Sequence, residues 1–177
     1  MKQVTSLACM HLAAALTSVS AAALGIGIAM SEGTFSINKA RTAGNATLFD
    51  GSTIETGSAF SRLKLNNGTT IRLASNVRGI VYGNRLVLEK GAIQIGGSKY
   101  QVKARTLNIV GRDARIGVFG KMVEVIALSS PVRVTNAQGV LVADVKPGKP
   151  LDFTPLEDAA PAAPEPGMKS QRANGRR

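Results

Sequence analysis

Cysteine, histidine and aromatic residues are nearly missing from this chain, and the positions of the few that occur exclude most chemistry. Its 177 residues include one cysteine, Cys9, one histidine, His11, no tryptophan, two tyrosines and five phenylalanines. Both Cys9 and His11 lie in an N-terminal apolar stretch, so the rest of the chain has neither. That rules out a disulfide, a thiolate nucleophile and a Cys/His zinc site there, along with the commonest general base. The sequence therefore predicts a protein that is not an enzyme and holds no cofactor or metal. The scarcity of aromatics also argues against sugar-stacking lectin surfaces and against stacked-base platforms for nucleic acid, so no specific nucleic-acid partner is expected.

Charged residues are absent between Lys2 and Glu32. Within that gap, Leu7 to Leu16 form a short apolar run and Ser18-Val19-Ser20-Ala21-Ala22-Ala23 supply small residues. One basic residue, an apolar run and an A-x-A-like patch make the three parts of a secretory signal, with a cut after Ala22 or Ala23. The apolar character continues through Leu24 to Met30, long enough to span a bilayer as a helical anchor drawn from residues 4–30. Both readings place residues 1–30 in targeting and the remainder outside the cytoplasm, in a periplasmic or other extracytoplasmic setting. Cys9 precedes the small residues and has Ser6 three positions before it, which does not suit a lipoprotein.

Past residue 30 the pattern alternates. In Arg62-Leu63-Lys64-Leu65, Thr70-Ile71-Arg72-Leu73, Arg85-Leu86-Val87-Leu88-Glu89 and Pro131-Val132-Arg133-Val134-Thr135, apolar side chains take every second place. A strand turns such residues to one face and leaves the polar ones to water, which directs Leu86 and Leu88 inward. The runs are separated by Phe49-Asp50-Gly51-Ser52, Asn66-Asn67-Gly68-Thr69, Tyr82-Gly83-Asn84, Gly96-Gly97-Ser98 and Asn136-Ala137-Gln138-Gly139, whose Gly and Asn residues suit tight turns. No helical periodicity interrupts them. The prediction is an all-β single domain of many short strands over residues 31–156, β-solenoid-like or a sandwich or barrel, with an N-terminal apolar helix. From 157 to 177 the chain turns to Pro, Ala and basic residues with little to bury, which predicts a disordered tail.

Tests for catalytic motifs fail at named positions. Gly120-Lys121 lacks the flanks of a phosphate-binding loop, having Arg115 and Met122 where Gly and Ser or Thr are required. Gly96 to Tyr100 lacks the closing glycine of a nucleophile elbow and has no histidine to serve Ser98. Asn45-Ala46-Thr47 and Asn67-Gly68-Thr69 match a glycosylation sequon, and both are read as turns.

Charge is the remaining signal. The net charge is +11, with 17 Lys and Arg against eight Asp and Glu between residues 31 and 156. Such an excess favours an anionic polymer or membrane surface. Arg62, Lys64, Arg72, Arg85, Lys103 and Arg133 occupy water-facing places on alternating strands and are the candidate contacts.

The order of the strand segments resembles the FecR-like domain, the extracytoplasmic part of iron-dicitrate-type anti-sigma regulators. Gly51-Ser52-Thr53-Ile54-Glu55-Thr56-Gly57-Ser58 is similar to that family's opening "G-x-x-I-x-T-G". Ser61 to Ala74 is similar to its "L-x-L-x-D-G-[ST]-x-[IV]-x-L" core, and Leu86 to Ile93 to its "L-x-L-x-x-G-x-[IV]" strand pair. Tyr100-Gln101-Val102-Lys103 and Val132 to Asn136 sit where two later strands belong, although Ser129-Ser130-Pro131 replaces an expected glycine. The resemblance covers about 34–153. It implies a β fold and an envelope-protein partner, and transfers no catalytic residue. Only Met1 to Ser6 precede the apolar run, leaving no room for a sigma-binding helical domain, so a direct anti-sigma role is not expected.

Overall fold

The computed structural model describes residues 24–154, all of it strand, turn and loop. The expected targeting helix up to residue 23 and the tail from 155 lie outside the described residues. Fourteen strands follow in order: β1 (Gly25–Ile37), β2 (Ala40–Phe49), β3 (Ser52–Thr56), β4 (Ser61–Leu65), β5 (Thr70–Leu73), β6 (Arg78–Val81), β7 (Arg85–Gly96), β8 (Tyr100–Ala104), β9 (Leu107–Gly111), β10 (Ala114–Phe119), β11 (Met122–Ala127), β12 (Val132–Thr135), β13 (Leu141–Val145) and β14 (Leu151–Phe153). The all-β expectation holds over this range.

The alternation in the sequence becomes alternation in burial. On β4, Ser61, Leu63 and Leu65 are buried and Arg62 and Lys64 exposed. On β7, Leu86 and Leu88 are buried as expected. Each fully buried aliphatic side chain is worth roughly 1.5–3 kcal/mol of transfer free energy, so Leu63, Ile71, Ile95, Val102, Ile109 and Ile116 form a core that needs no cross-link.

Strand pairing closes on itself. Gly27 to Ser31 of β1 ladder with β4, while Phe35 to Ile37 ladder with β3. From β4 the ladder runs to β5 and on to the C-terminal half of β7. From β3 it runs to β6 and the N-terminal half of β7. β1 and β7 thus each supply two segments to a closed antiparallel ring, a barrel. Of the architectures the sequence left open, solenoid stacking is not what forms: β7 with β8 is the one parallel ladder among the described residues. The other edge of β7 carries a second lobe, reaching β9, β12 and β13 through β8, and β11 and β14 through β10.

Gly91 lets β7 turn the corner. Its φ is +89°, and a Cβ there would lie 2.8 Å from Val77 Cγ2 and 2.9 Å from Val77 Cα. Only glycine combines that dihedral with so close a neighbour.

Three sequence expectations change. The boundary at Ser31 falls inside β1, which starts at Gly25 and buries Ala29, so residues 25–30 belong to the barrel; they alternate as a strand, with Gly27 and Ala29 inward and Ile28 half-exposed, rather than extending a helix. Gly96-Gly97-Ser98 does not close a hairpin, because the strands it joins run parallel. Asn45-Ala46-Thr47 lies within β2 rather than in a turn. Tight hairpins do form at Asn66–Thr69, where Leu65 N–H donates to Thr69 O at 2.9 Å, and at Tyr82–Asn84, where Tyr82 N–H donates to Arg85 O at 2.8 Å.

Candidate functional site

Pairing registers decide which outward cations share a surface. Arg62 on β4 stands opposite Arg72 on β5, Arg72 opposite Gln94 on β7, and Gln94 opposite Arg115 on β10. On the other side of Arg62, Met30 of β1 continues the row, followed by Asn45 of β2. Residues that face one another across a ladder project from the same side of the sheet. One row therefore reads Asn45, Met30, Arg62, Arg72, Gln94, Arg115.

This row lines a groove of about 760 Å³, together with Phe60 and the points where β1 and β7 bend, at Ser31 and Ala92. The groove opens where β4 and β5 part from β3 and β6. Phe60 precedes β4 in an irregular segment and is 75% exposed. Ser31 Oγ donates to the Phe60 carbonyl at 3.3 Å, which ties that segment to the bend of β1. Ser61 also lines the groove, but alternation turns its side chain toward the barrel interior, where its hydroxyl is buried without a partner among the described residues.

Arg62, Arg72 and Arg115 make no ion pair among the described residues, and no described carboxylate lines the groove. Other cations are already engaged. Arg78 Nε sits 3.3 Å from Glu55 and 2.9 Å from Glu89. Three guanidiniums on one row without a counter-charge form a local positive field in a concavity, where low-dielectric walls focus it.

The six cations singled out from the sequence divide. Arg62, Lys64 and Arg72 belong with the groove side, Lys64 standing opposite Thr70 next to the row. Arg85, at the start of β7 in the ring, and Lys103 and Arg133, on the second lobe, stand away from the groove: Arg85 pairs with Gln101, Gln101 with Val110, and Val110 with Arg133. Two of those three are partnered. The Arg85 guanidinium lies 4.1 Å from the centre of the Tyr82 ring, and Arg133 Nε is 3.6 Å from Asp144. Sequence reasoning missed Arg115, Gln94 and Phe60. The alternation Ala114-Arg115-Ile116 carried the signal for Arg115; an isolated Phe in a loop carries none.

Near Arg85, Tyr100 is buried and its hydroxyl donates to Tyr82 O at 2.7 Å. Burial pushes its phenol well above the ordinary tyrosine value, with Asp50 adding to the rise and Arg85 opposing it. This pins the β6–β7 turn and belongs to the scaffold.

Among the described residues no group of three or more His, Cys, Asp or Glu side chains is placed to hold a metal ion. No family model matches the chain, and neither does any curated protein.

Proposed function

We propose that this protein is an exported, non-enzymatic binding module of the cell envelope that holds an anionic envelope component in the arginine-lined groove. The observation that carries the reading is the row of Arg62, Arg72 and Arg115, three cations without an ion-pair partner among the described residues, in one concave surface. Unpaired like charges brought together are costly to a fold and useful to a ligand of opposite sign. Export is supported by the A-x-A-like patch that ends at Ala23, two residues before β1 begins at Gly25, so a cut there leaves the barrel whole. The FecR-like motifs support an extracytoplasmic setting. A test in the native cells combines fractionation with intact mass: the expected species is extracytoplasmic, trimmed by about 22 residues if the segment is a cleaved signal. Full-length protein in the soluble cytoplasm overturns export. Loss of retention on an anionic matrix in a triple Arg62, Arg72 and Arg115→Gln variant is the expected result for the groove, and unchanged retention overturns it.

A second reading, docking on another envelope protein, has its own observation. β13 ladders only with β12 among the described residues, and Val140, Leu141 and Val142 at that edge are exposed. An apolar strand with a free edge is a surface for strand addition.

A further inference from the structure

Resting on the reading of the groove as an anion-binding site, we infer that its ligand is an acidic polysaccharide, a chain of sugar rings bearing repeated carboxylates.

The length of the charged row points to a polymer. Adjacent strands lie about 4.8 Å apart, so Arg62, Arg72 and Arg115, on the first, second and fourth strands of the series β4, β5, β7, β10, spread over roughly 15 Å. A single small anion cannot meet all three. The guanidinium is a planar fork of donors that matches a carboxylate in bidentate fashion and is only weakly hydrated, so desolvation in a groove costs it less than it costs an ammonium.

The floor of the groove decides between a sugar chain and a peptide. Each strand beneath Met30, Gln94 and the three arginines is laddered on both edges: β1 by β2 and β4, β4 by β1 and β5, β5 by β4 and β7, β7 by β5 and β10, and β10 by β7 and β11; β2, which carries Asn45 at the end of the row, ladders only with β1 among the described residues. No strand edge is left beneath the arginines for a peptide to extend the sheet, which is how peptides gain main-chain hydrogen bonds on β proteins; the edge of β2 lies beyond Asn45, at the far end of the row from Arg115. Recognition falls to side chains alone. Gln94 and Asn45 present amides, each both donor and acceptor, which suit hydroxyl groups that also do both. Phe60 adds a single exposed ring beside the charged row, too few for a stacked lectin surface but enough to cover the apolar C–H face of one sugar, so charge and amides carry the rest. A nucleic acid would require several such rings for successive bases, and the groove has one. A lipid bilayer is flat, whereas these arginines line a concavity.

The experiment uses the full chain and polygalacturonate oligomers as the probe, titrated calorimetrically at physiological salt. Neutral dextran, poly-glutamate, phosphatidylglycerol vesicles and DNA are the comparison arms. The expected result is binding of polygalacturonate that persists at physiological salt, with dextran silent and the other anions weaker. Arg72→Ala and Arg115→Ala should each weaken it about tenfold, as expected for loss of a charge-assisted bidentate contact. Phe60→Ala should weaken it too, and Arg133→Ala, on the second lobe, should not. Circular dichroism melts show whether each variant folds. Equal affinity for all polyanions, or equal sensitivity to Arg133→Ala, overturns the polysaccharide assignment and leaves the groove a general anion site. Tighter binding of poly-glutamate, vesicles or DNA overturns it in favour of that class. Failure of every anion to bind at low salt overturns the underlying reading as well.

Discussion

Arg62 and Arg72 stand directly opposite each other on neighbouring antiparallel strands, two guanidiniums on one face with no carboxylate paired to either among the described residues. Cross-strand pairs of like charge destabilise a sheet, and pairs of opposite charge contribute roughly 0.2–1 kcal/mol. Arg72→Glu is therefore expected to raise the melting temperature by a few degrees while abolishing retention on anionic polymer. A melting temperature that falls would mean that these arginines carry no stored repulsion.

The alternation of β4 and β7 sets a second contrast. Leu88 is fully buried and Lys64 exposed, so Leu88→Arg should cost several kcal/mol and Lys64→Glu well under ~1 kcal/mol. Urea unfolding of the two full-length variants measures both, and similar losses would contradict the inward placement of Leu88.

Gly91 and Gly44 separate strain from collision. Both have positive φ, but a Cβ at Gly44 meets nothing within 4 Å while one at Gly91 meets Val77. Gly44→Ala should cost about 1–2 kcal/mol of backbone strain alone. Gly91→Ala should cost at least ~2 kcal/mol more, because β7 must shift as well. Equal denaturation midpoints would show that the bend of β7 tolerates a side chain.

Tyr100 sets an alkaline limit. Its phenol is held above the ordinary value when folded, so the protonated form is favoured in the folded protein. That contribution is complete below the unfolded tyrosine pKa of about 10 and is lost as pH rises beyond it. Stability measured by urea at increasing pH should fall above about pH 10 in the native protein and fall less in Tyr100→Phe. The variant should be weaker at neutral pH by about 1 kcal/mol, since Tyr82 O loses its donor. Parallel curves for the two proteins would remove Tyr100 as the cause.

Local pattern made the strands and most turns legible. Period-two alternation placed Leu63, Ile71, Leu86, Leu88 and Val134 correctly, and Asn67-Gly68 announced its hairpin. The β1–β2 hairpin gives no such signal, because its turn is Asn38-Lys39, both at positive φ, without the glycine that usually marks one. Pairing partners could not be read, because alternation says which face a residue takes and nothing about which strand lies beside it. Hence Arg62 and Arg85 look equivalent in sequence, yet one lines the groove and the other packs on Tyr82 at the β6–β7 turn. Gly25 to Met30 read as targeting because they carry no charge and continue the apolar stretch before them, although Ile28 on their outward face is half-exposed.

The strand that turns at Gly91 has a thermodynamic role beyond its shape. β7 ladders with β5 and β6 in the ring and with β8 and β10 in the second lobe, so neither lobe can lose it and survive. The two lobes accordingly share one cooperative unit, and the amides of β7 exchange with solvent only when the whole domain opens. β13 and β14, each laddered on one side among the described residues, open by local fraying at lower free energy. The molecule thus places the arginines of its groove on strands held at both edges and its free apolar edge on a strand held at one.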